Sequence, residues 1–416
     1  KTLFPYTTLF RSLTFSSTGL NDATVSVALS PGAADHLTIS ASSSAANATA
    51  LATQPLVTIY DASNNVVTGS NTLVTLSATG ATIGGTYTMN AASGVANFSG
   101  NGVKLTGSIG LKTLTASINS GAISVSRSVQ LTVGSATQLA ITTSAAQATS
   151  RAAFGVQPVI EIQDVSGNVL SAETTAIDAT VSSGPTLDGT TSVAAVNGVA
   201  TFSDLGLHGT IGTFTLTYTL HGTSIANTQS ITLGHGVAFQ LAMSSSATLV
   251  NDTAFTTQPV VTVQDQDGNT VTTGSDSLAI VTLSSSDATI GGTTTMTATA
   301  GVADFANKGI KLTSTVGTRH LTAVGAALTK TNTVTITYGA ATRLAVTTQP
   351  AGAVNDVAFT TQPVVTVQDI SGNTVANSNA SISASTANFG VTLGGTTTKT
   401  AVNGVATFAG LGKHGT

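Results

Sequence analysis

The sequence contains no cysteine and no tryptophan, and only 7% of its 416 residues are charged. Without cysteine there is no disulfide framework, no thiolate zinc site and no cysteine nucleophile. Ordinary globular proteins contain about 25% charged residues, so this composition argues against a conventional enzyme. The 13 lysines and arginines are thinly spread and the net charge is −4. The chain therefore offers no basic surface for nucleic acid.

Long hydrophobic runs are also missing, although the mean hydropathy is +0.33. A membrane-spanning helix needs about 18 or more uninterrupted apolar residues. Here the apolar residues come in short runs that threonine, serine and the 42 glycines interrupt. We therefore expect no membrane insertion of this segment.

What the chain does contain is one unit repeated four times. A Gly-Val-Ala-x-Phe motif recurs at steps of 104, 103 and 103 residues, ending at Phe98, Phe202, Phe305 and Phe408. A Gln-Pro pair recurs at steps of 103, 101 and 104 residues, with its prolines at Pro55, Pro158, Pro259 and Pro363. Independent anchors with one period identify a tandem repeat protein.

The period divides the chain into segments. We predict repeat 1 at 33–134, repeat 2 at 135–236, repeat 3 at 237–339 and a truncated repeat 4 at 340–416. Residues 13–32 align with 216–235 and so correspond to the last two strands of a preceding copy. The chain is thus expected to be a fragment of a longer array.

The first residues have a different origin in this interpretation. Residues 2–12 read TLFPYTTLFRS, which resembles one reading frame of a common sequencing adapter. We therefore assign residues 1–12 to an adapter artefact and exclude them from the fold prediction.

Apolar and polar residues alternate strictly in several segments, which indicates half-buried β-strands. Residues 213–220 place Phe214, Leu216, Tyr218 and Leu220 on one face and four threonines on the other. No segment has a convincing helical period, so helix should be nearly absent.

Turn signals separate the strands in every repeat. An Asp-x-x-x-Asn turn recurs at Asp61/Asn65, Asp164/Asn168, Asp265/Asn269 and Asp369/Asn373. Aspartate can accept hydrogen bonds from the backbone two residues on, so this pattern predicts a tight hairpin. About seven short strands per 100 residues predict an all-β fold of tandem immunoglobulin-like β-sandwich domains in an extended array.

The recurring motifs resemble the bacterial immunoglobulin-like repeats of large surface adhesins, the invasin and intimin type among them. The resemblance rests on Val-x-Val-x-Asp-x-x-Gly-Asn-x-Val, then Gly-Gly-Thr-Thr-Thr, then Gly-Val-Ala-x-Phe, and it covers residues 13–416. It implies a stalk on a secreted or surface-anchored protein, with the adhesive region outside this sequence.

No catalytic constellation recurs from repeat to repeat. His208 and His414 align in a Gly-x-His-Gly segment that we interpret as a loop, and the two glutamates, Glu161 and Glu173, both lie in repeat 2. A site that belongs to the unit should be present in each copy. We therefore predict no catalytic residue, no cofactor and no enzymatic activity.

Calcium binding and a cross-linking isopeptide bond are two further alternatives at the level of the sequence. Asp265-Gln-Asp267-Gly268-Asn269 resembles the start of a calcium loop but lacks the glutamate that completes an EF-hand. Asn251-Asp252 and Asn355-Asp356 could contribute to calcium sites between domains. Lys104 and Lys311 align, but no acid tracks with them as a cross-linking isopeptide bond would require. We interpret the calcium-like segment as a structural turn and predict no metal site.

Carbohydrate binding is the main rival to a stalk, because sugars pack on aromatic faces. Tyr218 and Tyr338 lie on the apolar phase of their strands and are expected in the core, which leaves Tyr60 and Tyr87 in repeat 1 alone. We therefore predict a structural stalk of an extracellular or cell-surface protein. Its expected partners are its own neighbouring repeats and, through regions outside this sequence, a host or neighbouring cell. The alternative is that the repeats themselves bind cells or carbohydrate.

Overall fold

The structure is a computed structural model that describes residues 9–387 and 389–415. Residues 2–8 of the segment that resembles an adapter lie outside the described residues, whereas residues 9–12 belong to the first strand. The fold is all-β, as predicted. The described residues include no α-helix and two short 3₁₀ turns, at Asn119–Gly121 and Ser275–Leu278.

The strands recur in the same order along the chain. An N-terminal hairpin is formed by β1 (Leu9–Phe15) and β2 (Ala23–Leu29). Repeat 1 contains β3 (Ala34–Ser40), β4 (Ser44–Ala46), β5 (Leu56–Asp61), β6 (Leu73–Thr79), β7 (Thr82–Gly84), β8 (Thr88–Asn90), β9 (Val95–Asn97), β10 (Lys104–Thr106), β11 (Gly110–Ile118) and β12 (Ile123–Thr132). Repeat 2 contains β13 (Gln138–Thr143), β14 (Ala148–Thr149), β15 (Ala152–Ala153), β16 (Val159–Gln163), β17 (Ala176–Val181), β18 (Thr186–Asp188), β19 (Ser192–Ala194), β20 (Val199–Thr201), β21 (Gly206–His208), β22 (Gly212–Leu220) and β23 (Ala226–Gly234).

The second half of the chain continues the pattern. Repeat 3 contains β24 (Gln240–Ser244), β25 (Thr248–Val250), β26 (Val260–Gln264), β27 (Ile280–Ser284), β28 (Thr289–Gly291), β29 (Thr295–Thr297), β30 (Val302–Asp304), β31 (Lys311–Thr313), β32 (Gly317–Gly325) and β33 (Leu328–Thr337). Repeat 4 contains β34 (Arg343–Thr348), β35 (Val364–Gln368), β36 (Ser381–Ser383), β37 (Val391–Gly394), β38 (Thr398–Thr400), β39 (Val405–Thr407) and β40 (Gly412–Gly415).

Each of the first three repeats is a sandwich of two main sheets. In repeat 2 the three-stranded sheet has the order β13-β16-β20, and the five-stranded sheet has the order β14-β23-β22-β17-β19. All pairs are antiparallel except the one between β14 and β23. In repeat 4 the counterpart of the five-stranded sheet consists of β36 and β38.

The sequence pattern of repeat 3 predicts seven strands, near 239–244, 260–265, 278–284, 293–299, 302–306, 318–324 and 331–338. All seven are present, and three more accompany them. These are the three-residue strands β25, β28 and β31. The predicted strand at 278–284 is shorter than expected, because Ser275–Leu278 form a 3₁₀ turn.

The core of each sandwich lies between its sheets. Phe98, Phe202, Phe305 and Phe408 are at most 2% exposed. The alternation predicted at 213–220 is also present, with Leu216, Tyr218 and Leu220 buried and Phe214 half-buried. Each of the first three repeats has its own cluster of buried apolar side chains. Because every core is separate, the array is a row of independent packing units. The boundaries drawn between them from the period stay predictions.

The N-terminal hairpin corrects one detail of the repeat alignment. Leu9 lies opposite Leu29 in the same way that Gly212 lies opposite Leu233 at the end of repeat 2. Gly32 donates its N–H to Asp61, as Gly236 does to Asp265. The second strand of the hairpin is therefore offset by one residue from the predicted alignment with 216–235.

Candidate functional site

The buried polar side chains concentrate where one repeat meets the next. We call these contacts the first junction (repeats 1 and 2), the second junction (repeats 2 and 3) and the third junction (repeats 3 and 4). Each is organised by the Asp-x-x-x-Asn turn of the following repeat. We call the aspartate and asparagine of this turn the clamp: Asp164/Asn168, Asp265/Asn269 and Asp369/Asn373.

The clamp aspartate first fixes its own turn. Asp164 accepts hydrogen bonds from the backbone N–H of Ser166 at 2.9 Å and of Asn168 at 3.1 Å. The Asn168 side-chain amide donates to the same carboxylate at 2.9–3.0 Å. Gly167, at φ +81°, supplies the left-handed backbone that the turn requires. The tight hairpin predicted from this motif is therefore present.

The same aspartate also holds the segment that links it to the preceding repeat. The N–H of Gly134, Gly236 and Gly339 donates to the clamp carboxylate at 3.0, 2.8 and 2.9 Å. A Cβ on these glycines would lie 2.5–2.7 Å from the carbonyl oxygen of Asn47, Ser150 or Asn251 in the preceding repeat. The linkers therefore contain glycine because two backbones approach closely there.

The clamp asparagine reaches across to the preceding repeat. At the second junction Asn269 accepts a hydrogen bond from the N–H of Ile211 at 3.0 Å and donates to the carbonyl of Gly209 at 2.9 Å. The first junction repeats this pair with Ile109 and Gly107, and the third with Val316 and Ser314. One side-chain amide thus satisfies a backbone donor and a backbone acceptor of another repeat.

The clamp carboxylates of the first and third junctions, Asp164 and Asp369, stay ionised down to low pH. Burial of Asp164 disfavours its charge, but hydrogen bonds from Gly134 and Asn168, together with the nearby amide of Asn47, outweigh burial and lower its pKa to about 2. The same balance lowers the pKa of Asp369 to about 2. For Asp61 the backbone donor of Asn65 is the largest cause, with Gly32 next, and the pKa is again about 2. The junctions are therefore charge-assisted networks over the neutral pH range.

The clamp residues are buried, so the loss of their hydrogen bonds would be costly for the stability of the junction. Asp164, Asp265 and Asp369 are each 1% exposed, and Asn269 and Asn373 are 7% exposed. Leaving a buried polar group without its partner costs about 1–3 kcal/mol. Separating two repeats at a junction would therefore require these groups to regain their partners from water.

A further row of residues in the preceding repeat completes each junction. It comprises Asn47, Ser150 and Asn251, which accept hydrogen bonds from Gly107, Gly209 and Ser314 at 2.9, 3.4 and 2.9 Å. Asn251 also donates to Asp369 at 2.8 Å. The amide nitrogen of Asn47 is buried near Asp164 but does not reach hydrogen-bond geometry. These residues extend the network from the turn into the preceding repeat.

The segment that resembled a calcium loop belongs to this network. Both carboxylate oxygens of Asp265 accept hydrogen bonds from N–H groups of Gly236, Asp267 and Asn269. Asp267 forms an ion pair with Arg151 of repeat 2, with 2.6 Å between Nη2 and Oδ1. The carboxylate oxygens of Asp265 and Asp267 are therefore occupied by hydrogen-bond donors, which fits a structural turn rather than a cation site. Across 9–387 and 389–415, no group of three or more acidic or histidine side chains is placed to hold a metal ion.

The other residues considered for calcium also have partners. Asp252 forms an ion pair with Lys311 at 2.7 Å, and Asp356 pairs with His414. Lys311 therefore has an acid beside it, which the sequence analysis did not anticipate. The side chains of this pair are 39% and 35% exposed, whereas an isopeptide bond needs a buried site.

The histidines and glutamates are dispersed. His208 and His414 lie on the strands β21 and β40 rather than in loops, which corrects the sequence interpretation. His208 pairs with Asp188 at 2.7 Å, so the two aligned histidines contact different, non-equivalent acids. Glu161 accepts a hydrogen bond from Gln163, and Glu173 accepts from Thr175, which lowers the pKa of Glu173.

The tyrosines divide into core and surface. Tyr218 is fully buried, as expected, and burial raises its pKa well above its ordinary value. Tyr338 instead packs half-buried against the core of repeat 4, because the chain turns into the third junction at this point. Tyr60 stacks on His36 with 5.4 Å between ring centroids, and Tyr87 is 43% exposed.

The junction residues are what the sequence analysis missed. The turn motif was recognised, but as a local hairpin rather than as the contact between repeats. The signal was present in the linkers, where Gly32, Gly134, Gly236 and Gly339 recur at steps of 102, 102 and 103 residues. A glycine kept at one place per period indicates a close backbone approach.

Comparisons with known proteins add the following. No protein-family model and no curated protein sequence matches this chain. Similar solved structures include invasin, described as a bacterial integrin-binding protein, at 16% identity and a TM-score of 0.31, covering 90% of this chain and 73% of that one. The Escherichia coli adhesin FdeC is 17% identical with a TM-score of 0.28, over 74% of this chain and 100% of that one. InvD of Yersinia pseudotuberculosis is 17% identical with a TM-score of 0.29, covering 71% of this chain and 96% of that one.

These scores are too low for the similarities to bear on function, so the fold rests on the sheets described above. In the part of the chain that the structure describes, no helix has the length and hydrophobicity needed to cross a membrane.

Proposed function

We propose that the chain is a spacer: a stalk segment of an extracellular or cell-surface adhesin that holds a binding region away from its base. The observation that supports this is the clamp, which recurs with the same atoms at three successive junctions. In a tandem array each repeat contacts mainly its neighbours, so length grows without a change of fold. A hydrogen-bonded junction adds resistance to bending, which a spacer needs.

The composition fits the same role. The outward positions of the long strands are mostly threonine, such as Thr213, Thr215 and Thr217 on β22. Threonine favours strands and wets the surface without charge. The placement outside the cell is supported by the resemblance of the motifs to bacterial immunoglobulin-like repeats, and it stays part of the proposal.

The rival proposal, that the repeats bind carbohydrate or cells themselves, has less support. Tyr87 is the more exposed of the two remaining tyrosines, and repeats 2 to 4 have no tyrosine at its position. His36 already covers one face of Tyr60. The expectation that the chain is not an enzyme also stays a prediction. It is supported by the histidine–aspartate pairs, which differ from repeat to repeat.

Small-angle scattering tests the spacer directly. The full chain is compared with a variant in which Asn168, Asn269 and Asn373 are all changed to alanine. We expect the wild type to scatter as an extended particle on the order of 100 Å or more long, since strands of eight residues rise about 3.3 Å per residue. The triple variant should show a broader distribution of shapes at unchanged strand content.

The control removes asparagine hydrogen bonds that lie inside a repeat instead of across a junction. Asn227 and Asn332 each donate to a backbone carbonyl within their own repeat, Leu139 and Met243. Their alanine variants should leave the scattering unchanged. A compact, folded-back wild type would contradict the spacer, and a saturable hit on a glycan array would favour the rival.

A further inference from the structure

The second junction differs chemically from the other two. In repeats 1 and 3 the residue that meets the following turn is asparagine, Asn47 or Asn251, and the third residue of that turn is serine, Ser166 or Ser371. At the third junction Asn251 donates to Ser371 at 2.9 Å, and it is 2% exposed. This arrangement uses neutral side chains around the clamp.

At the second junction all the equivalent positions have changed together. Ser150 stands in place of asparagine, Arg151 follows it, and Asp267 stands in place of the turn serine. Ser150 donates its hydroxyl to Asp267 at 2.5 Å. Arg151 donates through Nε at 3.0–3.1 Å and through Nη2 at 2.6 Å to the same carboxylate. The Asp267 side chain is only 10% exposed.

These three residues depend on one another. Serine is shorter than asparagine, so Ser150 leaves room for the larger aspartate of the turn. A carboxylate held this far from water needs a cation and hydrogen bonds to stay ionised. Arg151 supplies the charge in a bidentate arrangement, and the pKa of Asp267 is lowered in spite of its burial.

The other junctions lack what an aspartate in the turn would need. The counterpart of Arg151 is Ala48 in repeat 1, which offers no charge. In repeat 3 it is Asp252, which already pairs with Lys311 of its own repeat. An aspartate at position 371 would therefore add a negative charge beside Asp252 and Asp369.

We propose that Ser150, Arg151 and Asp267 form a pairing code through which the end of repeat 2 recognises the turn of repeat 3 and disfavours the turns of the other repeats. The partner it selects is a repeat whose turn carries an aspartate at its third position. Specificity of this kind combines an attractive pair with repulsion of the wrong partner. It would act against misjoining of similar neighbours, a characteristic failure of repeat proteins. The inference rests on the junction geometry and does not require the spacer function.

The test uses the full chain and reads each junction separately by amide hydrogen exchange. The N–H groups of Ile109, Ile211 and Val316 each donate to a clamp asparagine, so they report on the first, second and third junctions. Asp267→Ser should speed exchange at Ile211 about tenfold, because a buried hydrogen bond to a charged group is lost. Ile109 and Val316 should not change.

The decisive variant converts the second junction to the first. Ser150→Asn, Arg151→Ala and Asp267→Ser together install the residues of Asn47, Ala48 and Ser166. If the three positions form one code, this triple variant restores slow exchange at Ile211 to within about threefold of wild type. Exchange as fast as in Asp267→Ser alone would overturn the proposal, as would an Asp267→Ser variant that exchanges like the wild type.

Two further measurements keep the test sharp. Ser371→Asp should speed exchange at Val316 about tenfold and leave Ile211 unchanged, because it places like charges together. Slow exchange at Val316 would contradict the proposal that like charges disfavour a wrong pairing of repeats.

Raising the salt concentration from 0.1 M to about 1 M should weaken the second junction only, since the Arg151 side chain is 41% exposed. Protected core amides at Ile162 and Val263 confirm in every case that the repeats remain folded.

Discussion

The core of a repeat and its junction tolerate sequence change in different ways. In the core, the position of Val57 is Ile160 in repeat 2 and Val261 in repeat 3, and each is fully buried. The clamp shows no such exchange, because Asp164 and Asn168 recur as aspartate and asparagine in every repeat. Apolar packing accepts side chains of similar volume. The clamp does not accept such changes, because its aspartate and asparagine must match the directions of several hydrogen bonds.

The difference separates two tasks. The core determines whether a repeat folds, through the apolar area that it buries and the fit of its side chains. The junction determines how one repeat is oriented relative to the next, through the directions of a few buried hydrogen bonds. A change in the core should therefore act within one repeat, whereas a change in the clamp should act between two.

The largest expected effect lies in the core. Phe305→Ala removes a fully buried ring and should destabilise repeat 3 by about 3–5 kcal/mol. Hydrogen exchange of core amides such as Val263 measures it, and amides of repeat 1 should not respond. Val196, which is 70% exposed, provides the control, since Val196→Ala should stay within about 0.5 kcal/mol. Equal loss of protection in all repeats would contradict the view that a change in the core acts within one repeat.

A linker glycine gives the next largest effect. Gly339→Ala would place a Cβ 2.6 Å from the carbonyl oxygen of Asn251, so the third junction must shift. We expect a loss of about 1–3 kcal/mol that appears as faster exchange at Val316, with the core of repeat 3 intact. Gly69 has nothing within 4 Å of its Cβ direction, so Gly69→Ala should be neutral. A neutral Gly339→Ala would show that the close approach does not matter.

Acid should weaken the junctions before the cores. The pKa of Asp164 is about 2 in the folded chain and about 3.9 when unfolded. A folded pKa below the unfolded one gives stability that is present above pH 4 and is lost as the pH falls through 2. Asp164→Asn keeps the shape and removes this titration. The difference between wild type and variant in the urea midpoint should therefore shrink between pH 5 and pH 2. A constant difference would contradict the charge-assisted clamp.

The smallest effect compares two asparagines whose side chains each donate to a backbone carbonyl. Asn269→Ala and Asn332→Ala each remove an amide that donates to a backbone carbonyl, across the second junction and inside repeat 3. Both should cost about 1 kcal/mol. Only Asn269→Ala should speed exchange at Ile211, and only Asn332→Ala should act within the sandwich. If the two variants gave the same exchange map, the junction would not be a separate unit.

The sequence predicted the sandwich because its signals are regular. Phe98 and its counterparts recur at one period, and the alternation around Leu216 shows which face is buried. The junction was harder, since a turn motif such as Asp164 to Asn168 has a sufficient local explanation. Nothing in one strand or turn shows that Asn168 reaches Gly107, which is 61 residues away. Asp267 was considered for calcium because its segment resembles a calcium loop, and its actual partner, Arg151, lies 116 residues away.

We infer that the clamp holds neighbouring repeats in one relative orientation. The chain contains no cysteine, so Thr180→Cys in repeat 2 and Thr282→Cys in repeat 3, both at exposed positions, can be spin-labelled cleanly. The distance distribution between the two labels is then measured in frozen solution. We predict a single narrow distribution that broadens in Asn269→Ala and stays narrow in Asn332→Ala. A broad distribution in the parent chain, or one unchanged by Asn269→Ala, would contradict it.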